Sequence, residues 1–197
     1  MKIEHHTRKH QIIQAAMEII ATDGLDSLTM LKIGERVGIS DAALYKHFKN
    51  KQTILIDMVH QIKQSMYENI QSEVLAMTGS PVDKLREFLK LHLTFLEERK
   101  GLPRILFSEA LHTNDPHLQQ ALSQIINNYL SFVEGLLIAG QKANLVREDL
   151  DTETAAQAFL GITQGTVILW AMGDFKKPLT HRWESLWSVF SQSLLKN

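Results

Sequence analysis

Apolar residues recur along this chain at spacings of three and four, with few of the strict alternations that mark strands, and the pattern predicts an all-α protein of about nine helices. The first helix runs from about Thr7 to Thr22, with Ile12, Ile13, Ala16, Ile19 and Ile20 on its apolar face and Gly24 as its stop. Thr29 can cap a second helix of about eight residues whose inward positions are Met30, Ile33 and Val37. Gly38 ends it, Ile39 can plug the core, and Ser40 can cap a third helix reaching Phe48. Lys49 and Asn50 break that helix, and Asn50 can cap a much longer fourth one that runs to about Met77.

Gly79 to Pro81 separates the fourth helix from a fifth over about Val82 to Glu98, with Leu85, Phe88, Leu89, His92 and Phe95 near one face. A shorter sixth helix, about Leu102 to His112, follows Gly101, and Pro103 suits its first turn. Thr113 to Pro116 reads as a loop, and Pro116 starts a long seventh helix ending near Gly140. Asp149 to Thr152 begins an eighth helix through about Met172, and Gly173 to Pro178 separates it from a ninth at about Leu179 to Leu195. Neither a repeat nor a low-complexity tract interrupts this order. The expected division is a small module at 1–50 and a helical domain at 51–197.

Composition narrows the chemistry. The chain has no cysteine, which removes disulfides, thiolate catalysis and cysteine-rich zinc sites. Net charge is −1, but basic residues slightly outnumber acidic ones up to Lys51, where His5, His6, His10 and His47 also lie. An excess this small is weak evidence for polyanion binding by itself. No apolar run approaches membrane-spanning length and Met1 is followed by a polar segment, so the expected address is cytoplasmic.

Two short helices joined through a glycine and braced by an earlier helix make a helix-turn-helix unit. A short third helix with small exposed residues can enter the major groove, where a bulky one would need more clearance. Ile39, Leu44 or Ala43, and Phe48 point it toward the core; Asp41, Ala42, Tyr45 and Lys46 face outward. That outer set combines a carboxylate able to accept from cytosine, a methyl able to meet thymine, and two donors.

Lys51 is the sharper clue. In the first turn of the fourth helix its cation opposes the helix dipole, at a cost of roughly 0.3 to 1 kcal/mol. A backbone phosphate reverses the argument, because ammonium and helix-end amides then bind it jointly. Thr29 with Lys32 forms a second candidate phosphate clamp, Tyr45, His47 and Lys49 lie between the two, and Ser40 at the start of the third helix is a further DNA-contact candidate. Lys49 as a solvated loop charge and His47 as a packing or capping residue remain open alternatives.

The stretch Ile33-Gly34-Glu35-Arg36-Val37-Gly38-Ile39-Ser40-Asp41-Ala42-Ala43-Leu44-Tyr45-Lys46-His47-Phe48-Lys49-Asn50-Lys51, followed by Ile54-Leu55, closely resembles the DNA-binding signature of the TetR family of one-component transcriptional regulators. Ile12 to Ala21, Gly24 and Thr29 also lie where that family has its first helix and the start of its second. The resemblance implies that Thr29, Tyr45, His47 and Lys51 engage the DNA backbone, and that Asp41, Ala42, Tyr45 and Lys46 face bases or their surroundings. Gly34 stands where the family usually has alanine; it keeps the clearance but lowers helix propensity by about 1 kcal/mol.

The resemblance further implies that the C-terminal helices enclose an effector and form a homodimer through helices eight and nine. The sequence supports this modestly. Small residues Ala155, Ala156, Ala158, Gly161 and Gly165 on the eighth helix allow close approach, and the ninth offers Trp183, Leu186, Trp187, Phe190 and Leu194; packing within one chain is the alternative. Candidate effector-lining residues are Met58, Ile62, Met66, Leu89, His92, Phe95, Leu96, Phe107, Leu111, Phe132, Leu136, Thr163, Val167 and Trp170, each equally able to be ordinary core. His92 stands out as a polar ring in an apolar face that needs a partner, such as Gln164, a carboxylate or a ligand.

The expected function is therefore a sequence-specific regulator, a homodimeric repressor released from a pseudo-palindromic operator by a small hydrophobic or amphipathic effector. Activation is a lesser alternative, and an architectural or nucleoid-associated DNA-binding protein of the same fold is another. An enzyme or metal site has only fragments behind it: His112 and His117 around Asp115, and His6 with His10 one helical turn apart. Neither completes a recognised spacing, so no catalysis, metal or cofactor is expected.

Overall fold

The computed structural model describes residues 2–99 and 115–194, and they are helical with short connections. The helices are α1 (Lys2–Asp23), α2 (Met30–Val37), α3 (Asp41–Tyr45), α4 (Lys51–Gln64), α5 (Ser72–Ala76), α6 (Pro81–Glu98), α7 (Pro116–Lys142), α8 (Thr152–Met172) and α9 (Trp183–Leu194). The sixth helix expected at 102–112, with Phe107 and Leu111, lies outside the described residues. Contacts divide the chain into two compact units: Met1–Ile62 with the described part of Arg99–Ser123, and Lys63–Glu98 with Gln124–Asn197. The first part of α4 thus packs with the N-terminal module, in contrast to a division at residue 50.

The first unit is built on a repeated device: a polar side chain closes the open amides at the start of each short helix. The Thr29 hydroxyl accepts from the Lys32 amide at 3.2 Å, the Ser40 hydroxyl from the Ala43 amide at 3.3 Å, and the Asn50 side-chain oxygen from the Thr53 amide at 2.9 Å. Gly38 ends α2 in the left-handed region at φ 73°, which a side chain would strain. Ile12, Ile13, Ile19, Ile20, Leu28, Ile33, Leu44, Ile54 and Leu55 are buried beneath these turns, while Met30 and Val37 are only half-buried. Lys9 donates to Asp57 at 3.2 Å and lies 4.9 Å from the Phe48 ring centre, so one side chain links α1, α4 and the residue closing the third helix. Replacing Ser40 with alanine is expected to cost about 1 kcal/mol through the lost cap, readable as a lower urea midpoint with unchanged slope.

The first helix starts at Lys2, ahead of the expected Thr7, and three further helix limits differ from expectation for local reasons. The third helix stops at Tyr45, because the amides of His47 and Phe48 both bond to the Leu44 carbonyl, at 2.9 and 3.0 Å, and tighten the chain into a turn. The long fourth helix is interrupted by a π-helical stretch, Ser65–Gln71, which periodicity does not reveal. The ninth begins as a 3-10 turn, Leu179–Arg182.

The second unit buries Leu85, Phe88, Leu89, Leu93, Phe95 and Leu96 of α6 with Tyr129, Val133 and Leu137 of α7 and Phe159, Thr163 and Val167 of α8. α6 begins with a reciprocal cap, Ser80 amide to Asp83 carboxylate at 3.0 Å and Asp83 amide to Ser80 hydroxyl at 3.1 Å. α8 corrects the expectation that no apolar run approaches membrane-spanning length. Its 21 residues reach a hydropathy of 1.3, with a third of that window buried. Its large aliphatic residues raise the average, and Ile168, Leu169 and Met172 leave an apolar face open, Leu169 at 71% and Met172 at 77% exposure.

Candidate nucleic-acid interface and effector region

α3 presents Asp41, Ala42, Tyr45 and Lys46 to solvent, with Tyr45 at 52% exposure, while Leu44 between them is fully buried. Burying that one leucine orients all four outward residues, since positions on a single turn share a fixed angular relation. Ser40 and Lys49 are exposed at the two ends of this segment, and His47 is half-buried. The helix lies close to α2 because of Gly34: a methyl there would sit 3.2 Å from the Ile39 carbonyl oxygen and 3.6 Å from the Asp41 carboxylate. Glycine therefore relieves a tight contact in the turn itself.

Lys51 occupies the first turn of α4, directly after the Asn50 cap. Among the described residues it has no ion-pair partner, which leaves a cation beside helix-end amides. Lys32 differs. Its ammonium is 3.1 Å from the Asp23 carboxylate, and that pairing holds Asp23 below the usual carboxylate range. The Thr29–Lys32 clamp must thus break an exposed pair, a weak bond in water, before Lys32 reaches a phosphate. Thr29 keeps its hydroxyl proton available, because in the cap it acts only as an acceptor.

The effector candidates divide between the units. Met58 and Ile62 are core residues of the first; Met66, Leu89, His92, Phe95, Leu96, Leu136, Thr163, Val167 and Trp170 are buried in the second, and Phe132 is half-buried. Two polar groups among them are committed internally. Thr163 donates to the Phe159 carbonyl at 2.8 Å and the Trp170 indole to the Lys177 carbonyl at 2.6 Å. Phe132 and Leu136 line a groove of about 380 Å³ with Leu75, Pro81 and Lys84; Trp170 and Leu186 line another of about 330 Å³ with Lys176, Lys177 and Arg182.

His92 does not bond to Gln164 or to any carboxylate: it is 3% exposed and its Nδ1 has no hydrogen-bond partner. Aromatic rings surround it, with the centre of Phe88 at 6.0 Å and of Tyr129 at 5.1 Å. Phe88 also meets Phe132 at 4.7 Å and Phe159 at 6.5 Å. Sequence reasoning passed over Tyr129 and Phe159 as parts of this cluster. The available signal was Phe88 and His92 one helical turn apart on a buried face. Desolvation lowers His92 from 6.5 to about 4, so the ring is neutral in the folded protein. Its folded value lies below the unfolded one, so the unfolded chain binds the extra proton between them. Stability is expected to fall as pH drops from about 6.5 to about 4, by roughly 3 kcal/mol in all. Urea titrations at several pH values should show this loss, and His92→Leu should lack it.

Of the dimer candidates, Ala155, Phe190 and Leu194 are buried in the second unit; Trp183, Leu186, Trp187 and Gly165 are half-exposed, and Ala158 and Gly161 exposed. Arg86 and Lys90 flank the Trp183 ring at 5.1 and 5.9 Å. Asp115 caps α7 through the His117 and Leu118 amides at 2.9 and 3.1 Å, which gives the carboxylate a structural use. Among the described residues no group of three metal-ligating side chains converges.

A capped recognition helix over a buried leucine, with a free lysine at the next helix start and a second helical unit beyond, defines a helix-turn-helix DNA-binding regulator with a ligand-binding domain. The comparisons agree. Residues 12–58 match the bacterial regulatory proteins of the tetR family and residues 54–193 the C-terminal region of YsiA-like proteins; the chain belongs to the TetR family of transcriptional regulators. It is 30% identical to the fatty acid metabolism regulator protein of Bacillus subtilis (strain 168), over 86% of each chain. It is 26% identical to the nucleoid occlusion factor SlmA of Vibrio atlanticus (strain LGP32), over 95% of each. The crystal structure of the transcriptional regulator FadR from Bacillus subtilis in complex with stearoyl-CoA superposes with a TM-score of 0.80 at 28% identity, covering 93% of this chain and 98% of that one.

Proposed function

We propose that this protein is a cytoplasmic homodimeric repressor that leaves a pseudo-palindromic operator when it binds a long-chain acyl-CoA, and that it acts by binding and not by catalysis. The observation that carries the DNA half is the outward set Asp41, Ala42, Tyr45 and Lys46, followed by Lys51, which has no ion-pair partner among the described residues. In this reading Thr29, Ser40, Tyr45, His47, Lys49 and Lys51 grip phosphates, Lys32 joins them after releasing Asp23, and Asp41, Ala42 and Lys46 read base edges.

The second half is supported by the regulator of fatty acid metabolism and the stearoyl-CoA complex among its relatives, and by the apolar, aromatic core of the second unit. Dimerisation is supported by the open face of α8 and α9, where Leu169, Met172 and Val189 are exposed beside Gly161 and Ala158. Two recognition helices related by a two-fold axis read an inverted repeat and combine their affinities, which one short helix does not achieve alone.

Selection of bound sequences from a random duplex library tests the first half, with an inverted repeat as the expected product. Adding stearoyl-CoA to that complex should release the DNA, and coenzyme A alone should not. By reciprocity, operator must weaken acyl-CoA binding by the same factor. No preferred sequence would defeat the reading. The nucleoid occlusion relative favours one alternative, an architectural role; occupancy at many dispersed chromosomal sites, with no effect of acyl-CoA, would select it.

A further inference from the structure

We propose that His92 recognises the carbonyl oxygen of the effector's acyl group, its Nδ1–H donating to that oxygen inside the aromatic cluster formed with Phe88 and Tyr129. This rests on the acyl-thioester reading of the effector given above and assigns a polar contact to the thioester of such a ligand.

Three observations converge on this residue. First, it is buried with its Nδ1 unpartnered, and an unpaired buried polar atom carries a desolvation penalty that a ligand can relieve. Among the described residues the buried polar side chains are His92 and Thr163, and Thr163 already donates to the Phe159 carbonyl. His92 thus keeps a buried polar atom for recognition, with the buried Tyr129 side chain beside it. Second, the surroundings fit an uncharged ligand group. Two aromatic rings face the imidazole, and burial keeps it neutral, so a carbonyl oxygen is matched where a carboxylate would lack a counter-charge. Third, two ring contacts connect the imidazole to a groove. Phe88 touches Phe132, and half-buried Phe132 forms part of the wall of the groove of about 380 Å³. Phe88 and Phe132 thus stand between the imidazole and the groove, and an acyl chain entering there must displace both rings to reach it.

A ligand pair isolates the contact: stearoyl-CoA, and its thioether analogue S-octadecyl-CoA, which differs by the missing carbonyl oxygen. Titration calorimetry with the full-length protein is expected to show the thioester bound roughly tenfold more tightly, the increment of one buried hydrogen bond. In His92→Leu the two ligands should bind equally, and the melting temperature should stay level or rise, because leucine removes an unpaired polar atom from an apolar site. A merely structural histidine would instead lower the melting temperature and leave the ligand preference intact. His92→Gln, which keeps a side-chain N–H donor, should retain part of the preference and serves if the leucine variant does not fold. Equal, tight binding of both ligands to the unaltered protein would overturn the role of His92 and leave the acyl-CoA effector standing. Binding of neither would overturn both.

Discussion

Replacing both Tyr45 and Lys51 with alanine is expected to lower operator affinity at least 100-fold while leaving helix content and oligomeric mass unchanged. The phenol and ammonium are each the kind of donor whose bond to a phosphate contributes roughly 1.5 to 3 kcal/mol. The two sit on different helices, and if each holds its own phosphate their losses add. Tyr45 is half exposed and Lys51 has no ion-pair partner among the described residues, so folding loses little by either change. Salt dependence separates the roles. Lys51→Ala should reduce the slope of log affinity against log salt by about one, whereas Tyr45→Ala should shift affinity with the slope retained. An unchanged affinity in the double variant, measured by fluorescence anisotropy on the selected operator, would remove these residues from the interface. Changing Asp41 or Lys46 should instead alter which sequences are preferred.

The largest effect on stability is expected at Phe88. Its ring is fully buried and lies within 6.5 Å of the ring centres of His92, Tyr129, Phe132 and Phe159. Phe88→Ala removes packing from three helices at once, α6, α7 and α8, and should cost about 3 to 5 kcal/mol. That is a large fraction of the stability of an ordinary domain. Urea denaturation followed by far-ultraviolet circular dichroism should show a midpoint shift of that size, with Phe88→Leu much less affected because it retains most of the volume. A shift under about 1 kcal/mol would mean that the cluster collapses around the gap, and that the second unit is held by other contacts.

The DNA module was legible in the sequence because its determinants are local. Thr29, Ser40 and Asn50 cap amides three residues ahead, and Gly38 supplies a left-handed residue at the end of a helix. The outward set follows from one buried leucine on one short helix. Every one of these relations spans a few residues, so spacing alone carries them. The interruption of the fourth helix at Ser65–Gln71 was not legible, since the same residues satisfy an α-helical period.

Partner choice belongs to the tertiary structure. The sequence marked His92 as a polar ring that needed a neighbour; only the packed unit shows Phe88 and Tyr129 around it and its Nδ1 without a hydrogen-bond partner. Lys32 and Asp23 are nine residues apart and pair across a turn that neither residue encodes. Phe190 and Leu194 matched an interface by composition and proved to be core, while Leu169 and Met172 stayed exposed. Residue order sets which side chains share a helix face, because that geometry is local. Which faces meet is decided by long-range burial, where many apolar surfaces of similar character compete and only the folded chain selects among them.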